Sequence, residues 1–499
     1  RAKFLILRFN FSAVDSTHER LQPSFESHCK ERFLEFCNRY KRFFSAEFEE
    51  ELLKRETAAD RLQYINRKSS EQGLRIYLII DEYDNFTNSI LATMGKEAYQ
   101  HATHGEGFFR YFFNVIKVMT TGNDTALERM FITGVSPVTL DDVTSGFNIG
   151  SNFTIDEQFN NIVGFSETEL HNMLEYYHEQ GMLKMGVDEM MKKMKPWYDN
   201  YCFAIRSLDR ESMYNSDMVL YYVSHCLRTG YSPDEMIDKN IRTDYGKLRH
   251  LIKIDRELGE NFSVIREVVE TGRTTATLSD AFSVEKMLLP DNFKSLLYYF
   301  GLLSIQGMEQ GEVVLAIPNH TVREQIYSYL VEGFADADIF RMDFHQFGKL
   351  IKAMAYRGQW QPVFSYISSE LERQSRVREF IEGEAHIKGF LLAYLGLTHY
   401  YMVLPEYELA KGYVDFYFQP NPQLTDMEYA YLLEVKYLKR DEPDSRIATV
   451  KEEARAQLLK YASDKFVTES IGKAQLRLIT VVFRGWEVVV MEEVIESQR

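Results

Sequence analysis

Asp415 lies in the apolar run Tyr413-Val414-Asp415-Phe416-Tyr417-Phe418, and Glu434 and Lys436 lie in a second, Tyr431-Leu432-Leu433-Glu434-Val435-Lys436-Tyr437. Two carboxylates and one amine could hold a hard divalent cation and act on a phosphodiester. Such oxygen ligands suit Mg²⁺ or Mn²⁺, which keep several waters and take only one or two protein carboxylates. The amine would orient or help deprotonate a metal-bound water, while the cation neutralises charge developing on the phosphate. The alternative is an edge hairpin with cross-strand ion pairs, each contributing about 0.2–1 kcal/mol.

The elements around these residues must bring them together. The stretch Pro420-Asn421-Pro422-Gln423-Leu424-Thr425-Asp426 is turn-rich, and its prolines cannot donate to a ladder. A pairing of Asp415 with Glu434 centres between Leu424 and Thr425, inside that turn, so the spacing predicts a hairpin. Alternation along the second strand puts Glu434 and Lys436 on one face and Val435 on the other. Upstream, Glu384 opens a run of helical periodicity that stops at Gly396; downstream, Lys451 to Tyr461 reads as a helix with Gln457 and Tyr461 four apart on one face. A final strand is expected over Leu476 to Phe483.

A second constellation occurs in the N-terminal half. Arg75-Ile76-Tyr77-Leu78-Ile79-Ile80 reads as a central parallel strand buried on both faces, ending in Asp81-Glu82-Tyr83-Asp84. Acidic residues at that end lie where open α/β sheets bind ligands. In the Walker B pattern the aspartate holds the Mg²⁺ of ATP and the glutamate polarises the attacking water; the alternative is a strand that merely ends in acidic residues. Glu128 to Ile132 reads as another short strand, ending in Thr133-Gly134-Val135-Ser136-Pro137, where the Thr133 hydroxyl could sense a γ-phosphate from the neighbouring strand or Gly134 and Pro137 could simply close a turn.

Helix, hairpin, helix and strand in this order resemble the PD-(D/E)XK nuclease core. The resemblance covers the last third of the chain and implies roles for Glu384, Asp415, Glu434, Lys436 and Gln457, with Asp415 and Glu434 as metal ligands. The two N-terminal strands and the following Asp141 to Gly150 stretch resemble the AAA-ATPase-like family of bacterial proteins that end in such a nuclease domain. That likeness implies nucleotide-binding roles for Asp81, Glu82 and Thr133. The family's Walker A loop, G-x-x-x-x-G-K-S/T, does not occur in these residues. Phe4 to Phe11 resembles the strand that follows the loop, and the chain opens on Arg rather than Met. The expectation is a fragment whose loop lies before Arg1, with ATP bound only by the full-length protein.

Between the two ends, Ser166-Glu167-Thr168-Glu169 is a capping box that starts a helix. Phe293 to Phe300 reads as a helix, Leu302 to Gln306 and Val313 to Ile317 as strands around a loop from Gly307 to Glu312, and Thr321 to Leu330 as a further helix. This resembles a winged-helix lid, and its acidic loop favours packing on the ATPase core over DNA contact. Ala335 to Asp338 marks a boundary. The expected fold is multi-domain α/β: a P-loop ATPase-like parallel-sheet core over 1–165, a helical and winged-helix lid over 166–335, and a restriction-endonuclease-like α/β domain over 336–499.

Composition bounds the function. The chain has 499 residues, 45% hydrophobic and 26% charged, as in an ordinary globular protein. Cys29, Cys37, Cys202 and Cys226 lack paired C-x-x-C spacing, so they indicate neither a zinc site nor a disulfide framework but a reducing, cytoplasmic setting. No apolar run approaches the ~20 residues of a membrane helix. The net charge of −16 opposes indiscriminate duplex binding, and from Tyr431 onward basic and acidic residues balance, leaving no basic stripe. The abundant Tyr and Phe read as core filling rather than base stacking. The expected function is an ATPase-like module fused to a Mg²⁺- or Mn²⁺-dependent phosphodiesterase acting on nucleic acid. The alternatives are an ATP-regulated switch with an inactive nuclease-like fold, which the acidic balance favours, and an ATPase motor alone.

Overall fold

A computed structural model describes the chain except for residues 1–2, 16, 18–19, 123, 145–149, 239–261, 288, 328–342, 374–382, 397, 399, 422–423, 425 and 496–499. The boundary read at Ala335 to Asp338 lies outside the described residues, as do parts of the Asp141 to Gly150 stretch, of the Pro420 to Asp426 turn and of the Thr321 to Leu330 helix.

The N-terminal sheet is parallel, in the order β1 (Leu5–Asn10), β2 (Ile76–Asp81), β3 (Leu127–Ile132). Helix Leu21–Tyr40 turns Leu21, Phe25, Cys29, Phe33 and Phe36 inward at helical spacing. Against them pack Phe9 of the first strand, Phe11 of the turn that follows it, and Phe109 and Phe112 of helix Phe108–Thr121. Most of these rings meet edge-on or tilted, and Phe9 and Phe11 stack at 5.8 Å between centroids, geometries that aromatic quadrupoles favour. Cys29 and Cys37 belong to this apolar face, and burial pushes both thiols up, that of Cys37 to about 12. The strand read as buried on both faces is buried on one: Ile76, Leu78 and Ile80 are inside, whereas Tyr77 and Ile79 are half-buried.

In the middle of the chain, β4 (Phe165–Ser166) and β5 (Met213–Tyr214) pair briefly, and the capping box at Ser166 closes as read, with both reciprocal hydrogen bonds to Glu169. An antiparallel sheet follows in the order β6 (Arg273–Ala276), β8 (Glu312–Ala316), β7 (Ser304–Glu309) beside helix Pro290–Tyr299. The loop read at Gly307 to Glu312 is shorter than expected. Gln310 and Gly311, both left-handed, make a two-residue turn that suits hairpin twist, and Gly307 belongs to the strand.

The C-terminal sheet runs β13 (Glu487–Glu493), β12 (Gln475–Arg484), β11 (Tyr429–Leu438), β10 (Gly412–Pro420), β9 (Tyr401–Leu409). Its one parallel pair, β11 with β12, needs a crossover, which helix Ser445–Tyr461 supplies while packing across both strands. Helices Phe344–Arg357 and Gln361–Arg373 pack on the same sheet. A single apolar cluster runs from Leu5 to Phe483, so helix Phe262–Thr271 of the middle region also packs against helix Glu384–Leu395 and β9. No helix among the described residues is long and apolar enough to cross a membrane.

Candidate active site

Strand pairing aligns a row of polar side chains across the C-terminal sheet. The β10–β11 register pairs Phe416 with Leu433, and one step further along it Asp415 faces Glu434. On the other side, Val414 pairs with Tyr407 and Phe416 with Pro405, which sets Asp415 beside Glu406. Glu434 in turn pairs with Thr480 on β12. The row therefore reads Glu406, Asp415, Glu434, Thr480.

Backbone and side chains interlock at its centre. The Val435 N–H donates to Asp415 Oδ2 at 2.7 Å, so the carboxylate takes a strand amide and anchors itself between Glu434 and Lys436. Val435 points into the large core, which leaves Glu434 and Lys436 on the opposite face, with Lys436 Nζ 3.2 Å from Glu434 Oε2. Asp415 and Glu434 are almost fully buried, Glu434 at 1% exposure. The three residues singled out by spacing converge.

Two further members were missed. Lys388, four residues after Glu384 on helix Glu384–Leu395, reaches Asp415 Oδ1 at 2.7 Å, Glu406 Oε1 at 2.7 Å and Glu384 Oε1 at 3.1 Å. Its i,i+4 relation to Glu384 was legible, but a helix pair of that kind usually marks a solvated face. Glu406 lies on β9, a strand that was not anticipated, and has a left-handed backbone at φ 43°. Glu384 thus joins the cluster through Lys388.

Electrostatics follow from burial. Desolvation, then the neighbouring Asp415 charge, push the Glu434 carboxyl up to about 8, against the pull of Lys436. Burial opposes the Lys436 ammonium, but the Glu434 and Asp415 charges outweigh it and raise its pKa above the usual lysine value. This direction favours the charged ammonium in the metal-free protein, a form suited to donate to a phosphate or orient a water. Lys388 is likewise held protonated, Asp415 and Glu406 together outweighing desolvation.

A hard divalent cation fits this donor set. Glu434 Oε1 is buried without a hydrogen-bond partner, so one carboxylate oxygen is free to ligate. Gln457 Oε1, on the helix that crosses β11, and Thr480 Oγ1 are also buried and unpartnered. Tyr461, one turn after Gln457, feels the charges of Glu434 and Asp415, though burial is the larger cause of its raised pKa.

The N-terminal constellation forms a second polar cluster at the C-terminal end of β2. Thr133 Oγ1 donates to Asp81 Oδ1 at 2.7 Å, and Arg8 Nη2 lies 3.1 Å from Asp81 Oδ2. Hydrogen bonding by Thr133, ahead of the Arg8 charge, holds the Asp81 carboxyl below the usual aspartate range. Glu82 turns aside: its backbone is left-handed, at φ 50°, and its carboxylate takes the Asn85 amide at 2.6 Å. The structure also gives weight to Asp84, passed over in the sequence. Buried, it accepts from Ser136 N at 2.6 Å, Val135 N at 3.1 Å and Asn88 Nδ2 at 2.6 Å, tying the turn after β3 to the end of β2. Gly134 is required there, because a Cβ would fall inside the Tyr83 ring and the Asp84 carboxylate. Asp81 and Thr133 could face the cation of a nucleotide, but this chain has no Walker A loop to cradle its phosphates.

Comparison with known families matches a model to each end of the chain. The model described as predicted AAA-ATPase matches residues 1–144, and that described as the PD-(D/E)XK nuclease superfamily matches residues 382–493. No curated protein and no solved structure matches the chain. The chain thus joins a predicted AAA-ATPase domain to a C-terminal domain of the PD-(D/E)XK nuclease superfamily.

Proposed function

We propose that this protein is a divalent-metal-dependent nucleic-acid phosphodiesterase attached to an ATPase-like module, acting in the cytoplasm. The observation that carries the reading is the convergence of Asp415, Glu434 and Lys436, locked by the Val435 amide. In this reading Asp415 and Glu434 hold Mg²⁺ or Mn²⁺, which would supply charge neutralisation and an acidified water. Lys436 donates from its ammonium to the scissile phosphate, Gln457 offers a buried carbonyl oxygen to orient the attacking water, and Glu384 holds Lys388 in the cluster. Asp81 and Thr133 serve a nucleotide's cation, with Glu82 beside them. Residues 1–165 form the ATPase-like core, 166–335 a lid whose antiparallel sheet and helices are of winged-helix type, and 336–499 the nuclease-like domain. All four cysteines are free and buried, which supports a reducing compartment.

The test is cleavage of plasmid and of single-stranded DNA or RNA with Mg²⁺ or Mn²⁺. Lys436→Ala and Glu434→Gln should each lower the rate by about 10²-fold or more, the scale of losing one preorganised charge-stabilising group. Cleavage unchanged by Lys436→Ala overturns the assignment. One observation favours the switch reading instead: Lys388 already neutralises Asp415 and Glu406. That reading expects no cleavage with either metal, in the wild type or in Lys388→Met.

A further inference from the structure

Away from both clusters, His104, Asp142 and Glu285 bring one nitrogen and two carboxylate oxygens within 4.8 Å of one another, the group of this kind found among the described residues. His104 follows helix Lys96–Thr103, Asp142 lies on helix Pro137–Thr144, and Glu285 on the short turn Val284–Lys286 of the middle region. We propose that these three side chains form a transition-metal site, of the Zn²⁺ class, that clips the ATPase-like domain to the middle region.

Three features support this beyond proximity. The first is spacing. His104 Nε2 lies 3.6 Å from Asp142 Oδ1 and 3.7 Å from Glu285 Oε1, beyond hydrogen-bond length but close to the edge of a tetrahedron with bonds of about 2.0–2.2 Å. The second is orientation. His104 Nδ1 lies 2.9 Å from Thr103 Oγ1, which leaves Nε2 to face the carboxylates, as a second shell does in metal sites. Asp142 is the third. Its side chain is 1% exposed, and its Oδ2 accepts from Tyr99 OH at 2.8 Å and Val284 N at 3.2 Å, so that Oδ1 is aimed into the gap.

The donor set selects the ion. An imidazole with two carboxylates suits Zn²⁺, Co²⁺ or Mn²⁺ better than Mg²⁺, and two negative charges balance a dication. His104 and Glu285 are partly exposed, leaving the fourth position to water. Gln100 Nε2 donates to Glu285 Oε1 at 2.6 Å and Lys96 Nζ lies 4.0 Å from it, so the carboxylate is oriented from outside. The competing arrangement is an imidazolium shared between the two carboxylates with no metal.

The experiment uses chelator-treated full chain, titrated with ZnCl₂ in saturating Mg²⁺ so that hard-oxygen sites are filled. The wild type should bind one equivalent more than His104→Gln or Glu285→Gln, and Zn²⁺ should raise the melting temperature of the wild type alone. Co²⁺ should give tetrahedral d–d absorption that His104→Gln abolishes. Metal-free variants that melt with the metal-free wild type exclude misfolding. Glu434→Gln should keep the extra equivalent, which separates this site from the nuclease-like cluster. Equal zinc stoichiometry in wild type and His104→Gln, or loss of the equivalent in Glu434→Gln instead, overturns the proposal.

Discussion

Lys388 Nζ lies 2.7 Å from Asp415 Oδ1, so an amine from a helix neutralises the carboxylate that strand pairing sets beside Glu434. Both side chains are largely buried, and removing one partner of such a pair costs about 3–5 kcal/mol because the other charge is left uncompensated. Lys388→Met should therefore lower the melting temperature without metal. Mn²⁺ should then restore more stability to the variant than it adds to the wild type, because the cation takes over the neutralising role. Thermal melts with and without Mn²⁺ measure this; equal metal-induced shifts would place Lys388 apart from the metal locus.

The raised Glu434 carboxyl makes metal binding proton-linked. Burial and the neighbouring Asp415 charge push its pKa up to about 8 in the metal-free protein, so a proton competes with Lys436 for this carboxylate near neutral pH. A ligating carboxylate must lose that proton, so Mn²⁺ affinity should rise about tenfold per pH unit up to about pH 8 and then level off. Calorimetry in buffers of different ionisation enthalpy should show about one proton released at pH 7. The same shift acts on folding. Because the native state binds the proton more tightly than the unfolded chain, Glu434 favours the fold at low pH, and this contribution is lost as pH rises from about 4.5 through about 8. Metal-free protein should thus melt lower at pH 8.5 than at pH 6, by a margin that Glu434→Gln reduces.

At the other end of the chain, Asp84 and Thr133 separate structural from ligand-facing roles. Asp84→Ala strands the Ser136 and Val135 amides and should cost about 3 kcal/mol, seen as a lower denaturant midpoint at unchanged m-value. Thr133→Val removes one hydrogen bond to the half-exposed Asp81 and should cost only about 1 kcal/mol. A Thr133→Val loss as large as that of Asp84→Ala would mean that the Asp81 cluster is structural as well.

Much of the nuclease-like cluster was legible because one constraint fixed it. The centre of symmetry between Asp415 and Glu434 falls in a turn, and side-chain alternation then decides where Lys436 and Val435 point. The meeting of Asp81 with Thr133 was legible from two apolar strands ending in polar residues. Glu406 was not, because it comes from β9, whose run is broken by Pro405 and a left-handed residue, so no period of two announces it. Gly307 misled for a related reason: a register shift between Ile305 and Gly307 hides a strand that continues to Glu309. Burial of β2 was overstated because an apolar run records what a strand can bury, whereas the layers packed around it decide what it does bury.

Gln457 offers a test in which stability and activity move in opposite directions. Its Oε1 is buried with no hydrogen-bond partner, on the helix that packs across β11. An unsatisfied buried acceptor costs about 1–3 kcal/mol, and replacing it by an apolar group of similar shape removes that penalty. Gln457→Met should therefore leave the metal-free fold as stable as the wild type or raise its melting temperature. If the same oxygen orients the attacking water, the variant should lose cleavage by about 10²-fold while Mn²⁺ affinity, set by Asp415 and Glu434, stays within a few-fold. Parallel melts, metal titrations and cleavage rates decide the matter. A stabilised variant with full activity would assign Gln457 to neither chemistry nor folding, whereas a destabilised one would mean that its amide is satisfied in solution by a group such as water.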